Sequence, residues 1–304
     1  VKLEDISKIL VVTKKTRLDY YINSYGAEAE KILKSKKIDY ESYMKEQENH
    51  YSTLKIVEDV IKKHALNYEI ALKDYLKEDN FRDISLVISV GGDGTFIDAS
   101  HFINDKIPLL GVNSNPLPDG KFDVSYSIGH YLSTKKEDFA EKFRMLLNGN
   151  YKIREQKRVQ AKLNTITGIP PAINEVYLGK YCIMDASRYE ITINSSDELR
   201  QEQQISNGVI ISSIDGWSGW VGNYEDAPVY DDSTKDLLCY YAIAPNKRVR
   251  FKSGFAEKIR VKSLMYNGVI TVDCSRDRWK YDFLDGYEAV IEMSSKDLKL
   301  IRFG

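Results

Sequence analysis

Leu86 to Phe102 reads LVISVGGDGTFIDASHF. An apolar run enters Gly91-Gly92-Asp93-Gly94-Thr95, and a mixed polar and apolar pattern resumes after it. A glycine-rich turn after a parallel strand and before a helix lets backbone N–H groups approach phosphate. Gly91, Gly92 and Gly94 permit that approach, and Thr95 is placed to cap the helix that follows. Asp93 is the odd residue. An anion beside phosphates is repulsive unless it holds Mg²⁺ or takes a proton from an attacking hydroxyl. Phosphoryl transfer asks for alignment, charge neutralisation and one such carboxylate. The run lacks the Gly-Lys-Ser/Thr ending of a Walker loop. The plain alternative is a strand-to-helix turn with Asp93 as a local cap.

The elements around the loop follow from periodicity. Ile9 to Thr13, Tyr68 to Leu72, Leu86 to Val90 and Ile107 to Val112 read as strands. A helix is expected over about Thr95 to Phe102. A long one, broken near its start, is expected over Tyr40 to His64, where Leu54, Val57, Val60 and Ile61 recur at helical spacing. Strand, helix, strand at this spacing argues for a parallel sheet with crossover helices. The segment from Ser114 to Gly129 is rich in Pro and Gly and reads as an extended loop, with a helix following over about Lys136 to Leu147. Beyond Tyr151 the period is mostly 2. Strands are expected at 152–164, 173–179, 187–194, 205–213, 238–244, 257–264, 268–273, 279–283, 287–293 and 297–302, which suggests an antiparallel sandwich.

The chain has 304 residues, more than one core usually organises. The expected architecture is an α/β N-terminal Rossmann-like domain plus an all-β sandwich-like C-terminal domain. The boundaries are 1–125 and 126–284, with about 285–304 returning to the first domain. A net charge of -1 gives no global field for nucleic acid or anionic membrane. No apolar run approaches a membrane span. Cys182, Cys239 and Cys274 are far apart, with no zinc-like spacing, and fit a reducing compartment. The chain begins at Val1, so a removed leader stays open. His101 reads as a packing or solvent-facing residue, and His130 as a ligand contact or a turn residue.

Gly91-Gly92-Asp93-Gly94-Thr95 resembles the signature of the NAD kinases and of their distant relatives, the diacylglycerol and sphingosine kinases. Ile173-Asn174-Glu175-Val176-Tyr177 is similar to the Asn-Glu pair with which NAD kinases hold dinucleotide. Ser206-Asn207-Gly208-Val209 through Gly216 resembles their Ser-Asp-Gly strand leading into a Thr-Gly-Ser turn. Lys14-Lys15-Thr16-Arg17, Gly111-Val112-Asn113-Ser114-Asn115-Pro116 and Ser127-Ile128-Gly129-His130 are similar to segments of the mitochondrial-type NAD kinases and plant NADH kinases. Trp220 and Asp285-Gly286 also match in place.

The resemblance covers nearly the whole chain and implies the NAD kinase/diacylglycerol kinase-like fold. It implies transfer of the γ-phosphoryl group of ATP, with Mg²⁺, to the adenosine ribose 2′-hydroxyl of NAD or NADH. Asp93 would take the hydroxyl proton, the three glycines and Thr95 would wrap the phosphates, and Lys14 and Arg17 would neutralise them. Asn174 and Glu175 suit the two hydroxyls of a ribose. Asn113, Asp215, Ser218, Gly219 and Trp220 would complete the nucleotide contacts. No protein metal ligand is assigned. A homodimer formed through the second domain is implied, with no nucleic-acid or membrane partner. The implied location is cytoplasmic, or the mitochondrial matrix if a transit peptide was removed.

The chain also departs from the family pattern. Asp215 and Trp217 stand where relatives carry a neutral hydroxyl and a small Ser or Thr, and Asn207 replaces a common Asp. A buried carboxylate near a diphosphate weakens binding unless it is paired or protonated. Two other readings therefore stay open: a kinase of a nucleoside or lipid hydroxyl, and a non-catalytic dinucleotide-binding protein.

Overall fold

The computed structural model describes residues 6–36, 39–118, 123–164, 166–195, 198–274 and 278–304. The chain divides into two compact units, residues 1–155 with 299–304, and residues 156–298.

In the first unit, β1 (Ile9–Thr13) is followed by α1 (Arg17–Tyr25), α2 (Ala29–Ser35) and α3 (Tyr40–Lys63). Then come β2 (Tyr68–Leu72), β3 (Leu86–Gly91), α4 (Asp93–Ser100), β4 (Leu109–Asn113), the two-residue β5 (Thr134–Lys135), α5 (Phe139–Leu147) and β6 (Lys152–Gln156). β1 pairs in parallel with β2 and β3, and β3 with β4. β1, β3 and β4 are buried along their whole lengths, as central parallel strands covered on both faces must be. Val57 and Ile61 of α3 and Phe139, Phe143 and Leu146 of α5 pack on Ile9, Val11 and Ile88 of the sheet.

The second unit holds two antiparallel sheets. Its strands are β7 (Val159–Leu163), β8 (Glu175–Lys180), β9 (Ser187–Ser195), β10 (Glu198–Ser206), β11 (Val209–Ser212) and β12 (Leu238–Ala242). They continue as β13 (Ser253–Ala256), β14 (Lys258–Ser263), β15 (Gly268–Val272), β16 (Lys280–Asp282) and β17 (Glu288–Met293). One sheet has the order β10-β9-β14-β17-β7 and the other β13-β12-β11-β8-β15-β16. Alternate residues of both, such as Ile191, Ile259 and Ile291 from one and Val176, Ile211 and Ile270 from the other, form a single core. The second sheet is apolar on its far face too. Tyr177, Ile210, Tyr241 and Val269 there pack with Trp217 and Trp220. The last strand, β18 (Leu298–Arg302), pairs in parallel with β4 and gives the first sheet the order β2-β1-β3-β4-β18-β6.

Several elements differ from the sequence reading. The units divide after Glu155, not after residue 125, because α5 and β6 contribute to the first sheet and its core. Of the segment 285–304, only residues 299–304 rejoin the first unit, while β17 is a sandwich strand. The expected strand 152–164 is β6 and β7 in two different sheets. The expected strand 205–213 is the end of β10 and all of β11, and β13 was not expected at all. α3 runs unbroken from its N-cap Asp39, which accepts the Ser42 N–H. Arg17 is the first residue of α1, because Thr16 and Asp19 form a reciprocal capping box. Among the described residues no helix is long and apolar enough to cross a membrane.

Candidate functional site

The expected site residues fall into two groups. Gly91 to Thr95, Lys14, Arg17 and Asn113 lie in the first unit, and Asn174, Glu175, Asp215, Ser218, Gly219 and Trp220 lie in the second.

In the first unit, β3 delivers the glycine loop straight into α4. Gly92 is the N-cap and Asp93 the first helical residue. Thr95 is therefore not the cap. It is the third helical residue and buried, and its N–H bonds to the Gly92 carbonyl at 3.0 Å. A Cβ on Gly91 would collide with the Thr95 hydroxyl, so this turn closes only around glycine. Asp93 accepts three backbone N–H groups. Its Oδ2 accepts the N–H groups of Gly129 at 3.0 Å and His130 at 3.1 Å, and its Oδ1 accepts that of Tyr131 at 2.9 Å. The Tyr131 ring stacks on Phe96 of the same helix, and Arg302 donates to the Tyr131 carbonyl at 2.9 Å. His130 thus meets Asp93 through its backbone. His101 is buried.

Beside this loop is a cavity of about 290 Å³, lined among others by Lys14, Arg17, Glu46, Gly92, Ser114 and Asn115. Lys14 Nζ lies 2.7 Å from Glu46 Oε1, and Arg17 Nε lies 2.6 Å from Glu46 Oε2. The Arg17 guanidinium also sits over the Tyr43 ring at 4.4 Å. Burial acts to raise the Glu46 pKa, but Lys14 and Arg17 outweigh it, so the carboxyl lies below its ordinary value. One turn along α3, the buried His50 joins the Thr13 hydroxyl at 3.0 Å to the Ser114 hydroxyl at 2.9 Å. Burial and then the Lys14 charge push its pKa down to about 4, so the ring is neutral at pH 7. Asn113 spans the loop after β4: its amide donates to the Ser127 carbonyl, and its carbonyl accepts the Asn115 N–H. Both partners, Ser127 and Asn115, line the cavity.

In the second unit, Glu175 opens β8. Asp273, just past β15, accepts the N–H groups of Ile173 at 2.9 Å, Asn174 at 2.6 Å and Glu175 at 3.1 Å. Glu175 is 3% exposed. Its Oε1 accepts the Cys274 thiol at 3.3 Å, and its Oε2 has no hydrogen-bond partner among the described residues. Burial, and then the Asp273 charge, push its pKa up to about 8. A buried acceptor without a protein partner is costly and calls for a water, an ion or a ligand group to satisfy it.

The turn carrying the remaining residues lies against this pair. A Cβ on Gly216 would collide with the Asn174 carbonyl, and one on Gly219 would lie 2.9 Å from Asn174 Cγ and 3.0 Å from Glu175 Oε2. The structure thus brings Asn174, Glu175 and Gly219 together, with Ser218 exposed beside them. It gives the family departures structural partners. Asp215 Oδ2 accepts the Lys157 N–H at 2.7 Å and so ties this turn to the start of β7. Trp217 donates its indole N–H to the Pro228 carbonyl at 2.8 Å and packs with Trp220 on the far face of the sheet. Trp220 stacks on Tyr177, with ring centroids 5.9 Å apart. Asn207 donates to the Ile183 carbonyl at 2.7 Å.

Glu46, His50, Asp273 and Cys274 were not singled out in the sequence. Glu46 and His50 stand four apart on α3, and that spacing of polar residues on one helical face could have marked them. Asp273 meets residues 98 to 100 positions away, and no local pattern carries that.

Residues 16–117 match the family description "ATP-NAD kinase N-terminal domain". A probable NADH kinase of Oryza sativa subsp. japonica is 32% identical over 154 residues, 48% of this chain and 47% of that protein. An NADH kinase of Arabidopsis thaliana is 34% identical over 125 residues, 39% of each. The chain thus spans about half or less of the length of these two relatives. An NAD kinase of Aquifex aeolicus is 26% identical over 240 residues, 76% of this chain and 82% of that one. Two solved structures share the fold. An NAD kinase from Archaeoglobus fulgidus in complex with ATP has a TM-score of 0.62 at 16% identity, covering 96% of this chain and 92% of that one. A yeast NADH kinase complexed with NADH has a TM-score of 0.63 at 13% identity, covering 98% and 84%.

The likeness to these two structures extends over nearly the whole chain, the α/β unit and the antiparallel sandwich alike. Residues 16–117 thus resemble the N-terminal domain of the ATP-NAD kinases, and the chain is similar in sequence to NAD and NADH kinases.

Proposed function

We propose that this chain is an NAD(H) kinase. It transfers the γ-phosphoryl group of ATP, supplied as its magnesium complex, to the adenosine ribose 2′-hydroxyl of NAD or NADH. The observation that carries this reading is Glu175. Its buried Oε2 lacks a partner among the described residues, and it stands beside Asn174 against the Gly216 to Gly219 turn. That pair supplies the donor and acceptor capacity a ribose diol requires. The names of the relatives, NAD kinase and NADH kinase, agree with it.

In the reaction the 2′-oxygen attacks the γ-phosphorus while the bond to the β,γ-bridging oxygen breaks, and ADP leaves with that oxygen. The hydroxyl proton passes to Asp93 Oδ1, which holds one N–H where Oδ2 holds two. A carboxylate has room for about four hydrogen bonds, so Oδ1 keeps acceptor capacity. The first turn of α4 offers N–H groups to phosphate. Lys14 and Arg17 add positive charge, and Glu46 holds both in place. Among the described residues no group of three or more His, Cys, Asp or Glu could hold a metal. Mg²⁺ is expected to arrive bound to the nucleotide phosphates, as is usual for this ion. The expected setting is the cytoplasm or the mitochondrial matrix, and the expected assembly is a homodimer, testable by sedimentation.

The test is an assay of purified protein with MgATP and NAD or NADH, read by an NADP(H)-specific dehydrogenase. Product from wild type and none from Asp93→Ala is the expected result. No product from wild type with either acceptor would overturn the reading.

A further inference from the structure

The two oxygens of Glu175 are not equivalent. Oε1 accepts the Cys274 thiol at 3.3 Å, while the buried Oε2 has no partner among the described residues. The thiol reaches Oε1 because the chain after β15 passes through two consecutive left-handed residues, Asp273 at φ 52 and Cys274 at φ 47. Residues with a Cβ adopt that region rarely, and it persists where the surroundings over-determine it. Here they do. Asp273 accepts three consecutive N–H groups from residues 173 to 175, and its own N–H donates to the Glu175 carbonyl at 2.9 Å. The bonds that fix the backbone of Asn174 and Glu175 therefore also bring the thiol to the carboxyl. On the other side Gly219 leaves space at Oε2, where a Cβ would stand 3.0 Å away.

We propose, resting on the NAD(H) kinase reading, that Asp273 and Cys274 are positioning residues for the acceptor. The thiol occupies Oε1 and so presents Oε2 alone to a ribose hydroxyl of the dinucleotide. Cys274 acts as a hydrogen-bond donor and not as a nucleophile. The residue as a whole is exposed, but its sulfur lies against the buried Glu175 carboxyl; the desolvation there, and then the Glu175 carboxyl itself, push the thiol above the ordinary cysteine range, so it stays protonated.

Cys274→Ala and Cys274→Ser test this cleanly. Both keep a Cβ and hence the same backbone cost, but only serine keeps a donor. The readouts are NADH affinity by fluorescence titration, the KM for acceptor and for ATP, and the pH dependence of acceptor KM. Alanine is expected to weaken acceptor affinity and raise acceptor KM about five- to tenfold, with ATP KM within about twofold of wild type. Alanine should also move the pH at which acceptor KM changes. Serine is expected to stay within about twofold of wild type throughout. Equal behaviour of alanine and serine, both like wild type or both weakened, would overturn the proposal. So would loss of acceptor and ATP affinity together in the alanine variant, the mark of a general defect. Failure of the NAD(H) kinase reading is seen separately, as wild-type protein that does not bind NADH.

Discussion

Asp93 and Asp273 make the same local structure in different units. Each accepts three consecutive backbone N–H groups, residues 129 to 131 for Asp93 and 173 to 175 for Asp273. Asp93 opens a helix at the end of a parallel strand, where N–H groups and the helix dipole favour an anion. Asp273 stands past an antiparallel strand in left-handed backbone, and its charge bears on another carboxyl, Glu175. A carboxylate bound this way is first a device for fixing a loop. In the proposed function its chemical role follows from what the loop would carry: a phosphate turn in one unit, an acceptor pair in the other.

The largest expected effect is on Asp93. Asp93→Ala should lower kcat by about 10² to 10⁴, the range of a lost general base. It should also lower the unfolding free energy by on the order of 3 kcal/mol, because three N–H groups lose a charged acceptor. Denaturant melts beside turnover measurements separate the two effects. Lost stability with turnover intact would make Asp93 a clamp only.

Asp273→Ala should cost comparable stability but divide its kinetic effect differently. Acceptor KM should rise about tenfold or more while kcat at saturation stays within several-fold of wild type. Equal loss of kcat and of acceptor affinity would erase the contrast between the two carboxylates.

Glu175 gives a smaller, pH-dependent effect. Its folded pKa of about 8 lies above its ordinary value of 4.5. Its contribution to stability is therefore complete below about pH 4.5 and is lost as pH rises through about 8. Glu175→Gln should escape that loss. In the unliganded protein it should gain on wild type by a few kcal/mol, on the order of 3, between about pH 5 and 9. A parallel pH dependence of the two unfolding free energies would contradict the burial argument.

His50 should show the opposite sign. Its folded pKa of about 4 lies below its ordinary 6.5, so stability is complete above about pH 6.5 and is lost as pH falls through about 4. The loss is on the order of 2 kcal/mol, and His50→Gln should flatten it in urea melts from about pH 7 to 4. A slope that persists in the variant would assign it to other groups.

Much of this arrangement was legible in the sequence, and the rest was hidden for identifiable reasons. The glycine loop, the parallel strands and most of the sandwich follow from local composition and period, where backbone geometry dictates residue type. Cap chemistry was harder: Thr16 with Asp19 starts α1 at Arg17, and Gly92 rather than Thr95 caps α4. The unit boundary was missed because α5 looks like a free-standing amphipathic helix until the first sheet is seen beneath it. Asp215 and Trp217 read as threats to the acceptor site, yet their partners, the Lys157 N–H and the Pro228 carbonyl, lie within the sandwich unit. Asp273 was invisible because its three partners lie 98 to 100 residues away.

The most direct test is the position of the new phosphate. Wild-type protein incubated with MgATP and NAD or NADH should give a product whose ³¹P spectrum shows a monoester on the adenosine 2′-oxygen, formed in step with ADP. Consumption of ATP with the dinucleotide unchanged, or a phosphate on any other hydroxyl, would contradict the account.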